Sequence, residues 1–107
     1  MIEAKEAAVK VTLIGGMDRL EPFYQKEARR AGHELRIFFQ YETGMEAKMG
    51  STDAVVVFTG KVSHQARNHA CQAARTLGIP LLQCHSCGVS SLRECFADLR
   101  IEAGAAL

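Results

Sequence analysis

Ala54-Val55-Val56-Val57-Phe58 is the most continuously apolar run in the chain, opened by Asp53 and closed by Thr59-Gly60-Lys61. Consecutive β-branched residues with no polar position left to face water mark a strand covered on both faces. Such a strand sits in the middle of a sheet, and it requires helices above and below.

The flanking segments supply them. Val9-Lys10-Val11-Thr12-Leu13-Ile14 is a second buried-type strand, stopped by Gly15-Gly16. Leu20 to Ala31 then reads as a helix, with Pro22 in its first turn and Gly32 just past its end; proline at the start and glycine beyond the end are the usual boundaries. Its apolar stripe is Leu20, Phe23, Tyr24 and Glu27-Ala28. In His33 to Gln40, Leu35, Ile37 and Phe39 alternate as in a strand. Tyr41 to Thr52 is polar and holds one helical turn at most. Ser63 is a good N-cap for a helix to about Leu77, with Ala66, Ala70, Ala73 and Leu77 inward and Gly78 as its stop. Pro80 to Cys84 is the fourth strand. Ser86 to Ser90 turns the chain into a last helix, Ser91 to Leu99, with Leu92, Phe96 and Leu99 inward. Residues 1–8 and 102–107 read as loose tails.

Alternation of this kind calls for right-handed crossovers and a parallel sheet. The expected fold is one α/β domain, residues 1–107, with a four-stranded, flavodoxin-like or Rossmann-like three-layer sheet in order 2-1-3-4 and a shortened second crossover. Ligands in such sheets sit beyond the carboxyl ends of the strands, where the order reverses. That edge gathers Gly15 to Arg19, Thr59 to His64 and Cys84 to Ser91.

Composition narrows the partners. The 107 residues carry a formal net charge of +1, which calls for neither nucleic acid nor a membrane surface. No apolar stretch approaches the roughly 20 residues of a bilayer span, and Met1 to Lys10 lacks the apolar segment of a signal peptide. A cytoplasmic location is the default expectation, and the four cysteines then read as reduced thiols. So small a parallel sheet leaves an edge or a face poorly covered, so a homo-oligomer, a dimer or larger, is expected.

Each chemical signal has a plain alternative. Gly15 and Gly16 permit a ligand to approach the backbone, or simply make a tight turn; there is no GxGxxG and no P-loop Lys-Ser/Thr pair. His64 opens its helix, where the dipole disfavours the imidazolium and suits a neutral, ligating ring; it also reads as an ordinary loop histidine. His69 lies five residues on, roughly 140° round the helix, so the two cannot chelate one ion. Cys84-His85-Ser86-Cys87 reads as a redox pair, as a metal knuckle with His64 as a further ligand, or as packing. The thioredoxin arrangement is disfavoured, since the last proline, Pro80, precedes the motif. Ser90 and Ser91 beside Gly88 suit an anion or a helix cap. No GxSxG elbow or triad is present, and nothing requires an enzyme.

The chain resembles the DUF2325 family, on Leu13-Ile14-Gly15-Gly16-Met17-Asp18-Arg19-Leu20, Thr43-Gly44-Met45-Glu46, Asp53 to Val57 running to Val62-Ser63-His64, Gly78-Ile79-Pro80, and Ser86 to Leu92. The resemblance spans Val9 to Leu99. It implies a small α/β fold with polar loops converging at the glycine motif, the Ser-His pair and the serine turn, and no agreed activity. Relatives usually carry a full helix before the third strand, where this chain has only the eight residues from Met45 to Thr52.

The leading functional expectation is a non-catalytic cofactor-binding module in a sensory or carrier role. His64 would ligate haem, or zinc or another transition metal, with haem preferred. Arg19, Lys61 and Arg67 would meet its propionates, and Phe23, Tyr24, Phe58 and Met17 would line its slot. The alternatives are a small-anion or nucleotide module using Gly15-Gly16 and Ser90-Ser91, and an enzyme acting through Cys84/Cys87 thiols or His64.

Overall fold

The computed structural model describes residues 9–106. Four strands, β1 (Lys10–Gly15), β2 (Glu34–Phe38), β3 (Ala54–Phe58) and β4 (Leu81–Cys84), form one all-parallel sheet in the order β2-β1-β3-β4. The helices among the described residues are α1 (Glu21–Arg30), α2 (Met45–Met49), α3 (His64–Leu77) and α4 (Val89–Ala106). Single 3-10 turns cover Asp18–Leu20 and Thr59–Lys61. Fold class and strand order are those expected from the alternation. The expected loose segment 1–8 lies outside the described residues, and α4 starts two residues before Ser91 and runs on to Ala106.

The pleat divides the core in two. Val11, Leu13, Ala54, Val56 and Phe58 face α1 and α4, which contribute Tyr24, Ala28, Leu92, Cys95, Phe96 and Leu99. Ile14, Val55 and Val57 face α2 and α3, which contribute Met45, Met49, Ala66, Ala70, Ala73 and Ala74. All five residues of β3 are buried, as a central strand with helices on both sides must be. β4 lies at an edge, and Leu81, Leu82 and Cys84 are only half-buried.

Two expected core positions are exposed. Leu77 is 48% accessible, and Ala74 takes its place in the buried stripe of α3. The cause is the short crossover: α2 spans five residues and ends at Gly50, which has no side chain to lay over the Leu77 methyls. Phe23 is 54% accessible, because the inward face of α1 is Tyr24, Glu27 and Ala28, and Phe23 lies about 100° round the helix from Tyr24.

Helix boundaries follow the sequence signals. The Ser63 hydroxyl oxygen accepts from the Ala66 N–H at 3.1 Å, and Gly78 closes α3 at φ +70°. β2 begins one residue after His33, whose buried ring accepts from the Val9 N–H at 3.2 Å and stacks edge-on to Phe96 at 5.0 Å.

One charged group holds the α1–α4 layer together. The buried Glu27 carboxylate receives a two-pronged fork from Arg93, Nε to Oε2 at 3.1 Å and Nη2 to Oε1 at 3.2 Å. Arg30 adds a longer contact at 3.5 Å. The Arg93 fork holds the carboxyl below its ordinary value of 4.5, against the opposing effect of burial. A depressed carboxylate pKa stabilises the fold at neutral pH, and the contribution is lost as pH falls through the folded-state value. Glu27→Gln is therefore expected to lower the urea midpoint at about pH 7 and to differ little from wild type at about pH 3. An equal loss at both pH values would show that the charge is not what matters.

Candidate functional site

The crossover from β1 to β2 runs one way along the sheet, and the chain then returns to place β3 on the other side of β1. The order reverses between β1 and β3, so their outgoing loops lead to helices on opposite faces of the sheet, and a crevice forms at that edge. Register brings the loops level, since Gly15 pairs with Phe58 and Phe58 with Cys84.

Both glycines are needed for the loops to meet. Gly15 has φ +92°, and a Cβ on it would stand 2.7 Å from the Lys61 carbonyl oxygen and 2.9 Å from Val62 Cβ. Gly16 has φ +99°, and its Cβ would meet the Tyr24 hydroxyl at 3.1 Å and the Phe58 ring at 3.2 Å. The Gly16 N–H donates to the Lys61 carbonyl at 2.9 Å, which fastens the β1–α1 loop to the β3–α3 loop. The glycine pair thus serves protein packing, and its backbone is already in use.

Tyr24 fastens the third loop. Its hydroxyl accepts from the Met17 N–H at 3.2 Å and donates to the Cys87 carbonyl at 2.5 Å. The ring is fully buried and meets Phe58 edge-on at 5.8 Å. Burial is the main reason that its pKa lies above 10.0. Tyr24 and Phe58 are therefore core, and with Phe23 exposed, the expected apolar slot of Phe23, Tyr24, Phe58 and Met17 does not form.

A cleft of about 560 Å³ opens at the switch point, lined by Gly16, Met17, Asp18, Arg19, Phe39, Gln40, Lys61, Val62 and Ser63. Of the residues singled out in the sequence, Gly16, Met17, Arg19, Lys61 and Ser63 come together on its walls, while Gly15 is buried. His64 and Arg67 are exposed on the first turn of α3, next to the rim but outside the lining. Ser90 and Ser91 lie in the first turn of α4, outside the cleft lining, where the Ser91 hydroxyl donates to Ser86 Oγ at 2.7 Å. Sequence reading missed Phe39 and Gln40. They leave β2, the neighbour of β1 at this edge, so the strand order itself carried the signal.

The set His64, Cys84, His85 and Cys87 does not converge: among the described residues, no three His, Cys, Asp or Glu side chains are grouped to hold a metal. Cys84 and Cys87 pack on the α1–α4 core, and the His85 carbonyl lies against Gly60. Burial pushes the Cys87 thiol up, the neighbouring Cys84 adds to this, and Lys61 opposes it. A second polar cluster lies on the other face, where His69 Nδ1 meets Glu46 at 2.5 Å under the Tyr41 ring.

Removing the Tyr24 hydroxyl takes away the side-chain partner of the half-buried Met17 N–H and Cys87 carbonyl. Tyr24→Phe is expected to cost about 1–3 kcal/mol in urea unfolding and to speed amide exchange at Met17. Unchanged exchange at Met17 would mean that the loop is held by something else.

A model of the family described as "Uncharacterized protein conserved in bacteria (DUF2325)" matches residues 10–99. No curated protein and no solved structure matches the chain. Among the described residues, no helix is long and apolar enough to cross a membrane. The family match runs from the first residue of β1 to the inward-facing Leu99 of α4 and takes in every loop of the cleft, and so the chain belongs to the DUF2325 family.

Proposed function

We propose that the protein is a non-catalytic module that holds a small anionic ligand in the switch-point cleft. The observation that carries this reading is the pair Arg19 and Lys61, brought from two different loops to one cleft. Among the described residues, neither side chain is paired with a carboxylate. Ser63, on the same wall, accepts from Ala66 and keeps its hydroxyl proton to donate. Guanidinium, ammonium and hydroxyl together suit a phosphate or carboxylate. No nucleophile paired with a base lines the cleft, so no reaction is assigned.

A second reading keeps the cleft and makes the anion haem. His64 favours it: the ring is exposed and directly follows Ser63 on the rim. Arg19 and Lys61 would take the propionates, His64 would hold the iron, and Phe39, Val62 and Met17 would give apolar contact. A second copy of the chain would complete the slot. Zinc would need Cys84, His85 and Cys87 to move toward His64. Four unpaired cysteines support a reducing, cytoplasmic setting.

Calorimetric titration with inorganic pyrophosphate and ATP, alongside an absorbance titration with hemin, separates the two. Arg19→Ala and Lys61→Ala are each expected to weaken phosphate-ligand binding about tenfold, and added salt to weaken it further. His64→Ala is expected to leave that binding intact. Failure of both phosphate ligands to bind, or affinity indifferent to Arg19 and Lys61, overturns the first reading. Hemin binding without a Soret shift, or a shift that survives His64→Ala, overturns the second.

A further inference from the structure

The switch-point cleft is not uniform along its length. Its lining follows the strand order β2-β1-β3, and the strand ends are level: Ile14 pairs with Phe38, and Gly15 with Phe58. Neighbouring strands lie about 4.8 Å apart, so the ends of β2 and β3 stand about 10 Å from each other. Lys61 and Ser63 follow β3, and Arg19 follows β1, so cationic and hydroxyl groups gather toward one end. Phe39 and Gln40 follow β2 and make the other end. Phe39 is half-buried, packed on the α1–α4 core and open to the cleft. Gln40 is exposed, and its carboxamide makes no hydrogen bond to another described residue. Asp18, exposed on the β1 loop, lines the same wall.

We propose that the anionic ligand is a nucleoside phosphate, with its phosphates on Arg19, Lys61 and Ser63 and its base against Phe39, within reach of the Gln40 carboxamide. This assignment deepens the anion-binding reading and rests on it. A cleft of about 560 Å³ lies in the range that encloses drug-sized ligands, so a phosphate at one end leaves most of the space free. The ring of a base offers a π-face to half-buried Phe39, a stacking contact open to any base. The Gln40 carboxamide carries donors and an acceptor, the complement of a base edge. Asp18 repels phosphate and accepts from hydroxyls, so it keeps the phosphates toward Lys61 and suits the sugar. Other anions fit less well. A fatty acid would leave Asp18 and Gln40 without partners, and a long polyphosphate would find no cation in the lining at the β2 end.

Calorimetric titration of the full chain compares ATP with tripolyphosphate, which carries at least as much charge but no sugar or base. ATP is expected to bind about tenfold more tightly. Phe39→Ala should bring ATP down to the affinity of tripolyphosphate, and Phe39→Tyr, which keeps the ring, should retain the preference. Because Phe39 also packs on the core, amide resonances of the wild-type chain give a second readout. ATP should shift the Gln40 side-chain NH₂ signal, and tripolyphosphate should leave it in place. Equal affinities that both depend on Arg19 and Lys61 overturn the nucleoside and leave the anion reading standing. A preference that survives Phe39→Ala, or a Gln40 signal that ATP does not move, also overturns it. Binding of neither ligand overturns the anion reading with it.

Discussion

One phenol hydroxyl joins two loops that the chain separates by most of its length. Tyr24 Oη takes the Met17 N–H and gives its proton to the Cys87 carbonyl. Both partners are backbone groups at the sheet edge, so the bond fixes loop positions rather than side chains. The ring beneath is fully buried against Phe58, and so the hydroxyl cannot move without repacking the central strand. The shape of the cleft wall at Gly16 and Met17 is thus set from inside the core.

The glycine pair is the other half of that constraint. Gly15 and Gly16 sit at positive φ with the Lys61 carbonyl and the Tyr24 hydroxyl close by. A side chain at either would push the loops apart. Two glycines after a first strand suggest a bound phosphate, yet here the Gly16 N–H is spent on Lys61. On the proposed reading, recognition of an anion would fall to side chains, Arg19, Lys61 and Ser63, and would tolerate a wider range of anions than a backbone cradle.

Much of this was legible in the residues. The apolar run Ala54–Phe58 announced a central strand, and Pro22, Gly32, Ser63 and Gly78 marked the helix ends, because caps are local chemistry. Strand order followed from the alternation, and it located the cleft. What escaped depends on contacts far apart in the chain. Nothing local says that Tyr24 reaches Cys87, or that Glu27, in an apolar stripe, is there to receive Arg93. Leu77 looked inward by periodicity and is exposed because Gly50, 27 positions earlier, offers no cover. Phe39 and Gln40 were overlooked because β2 was read for its alternation and not for where its end lies.

The two helical layers do different work. On one face, a buried carboxylate fork and the Tyr24 bridge tie α1 to α4 and to the loop before it, over a core that Cys84, Cys87 and Cys95 help to fill. On the other, α3 approaches the sheet through alanines, and α2 reduces the crossover to Met45 and Met49. There the His69–Glu46 pair borders an open groove of about 440 Å³ that includes the exposed Leu77. The cleft draws walls from both regimes: Met17 is fixed by Tyr24 on the first face, while Ser63 begins the alanine-faced helix. An anion spanning Arg19 and Lys61 would bridge the loop leading into each layer, and so would couple the firmer half of the domain to the thinner one.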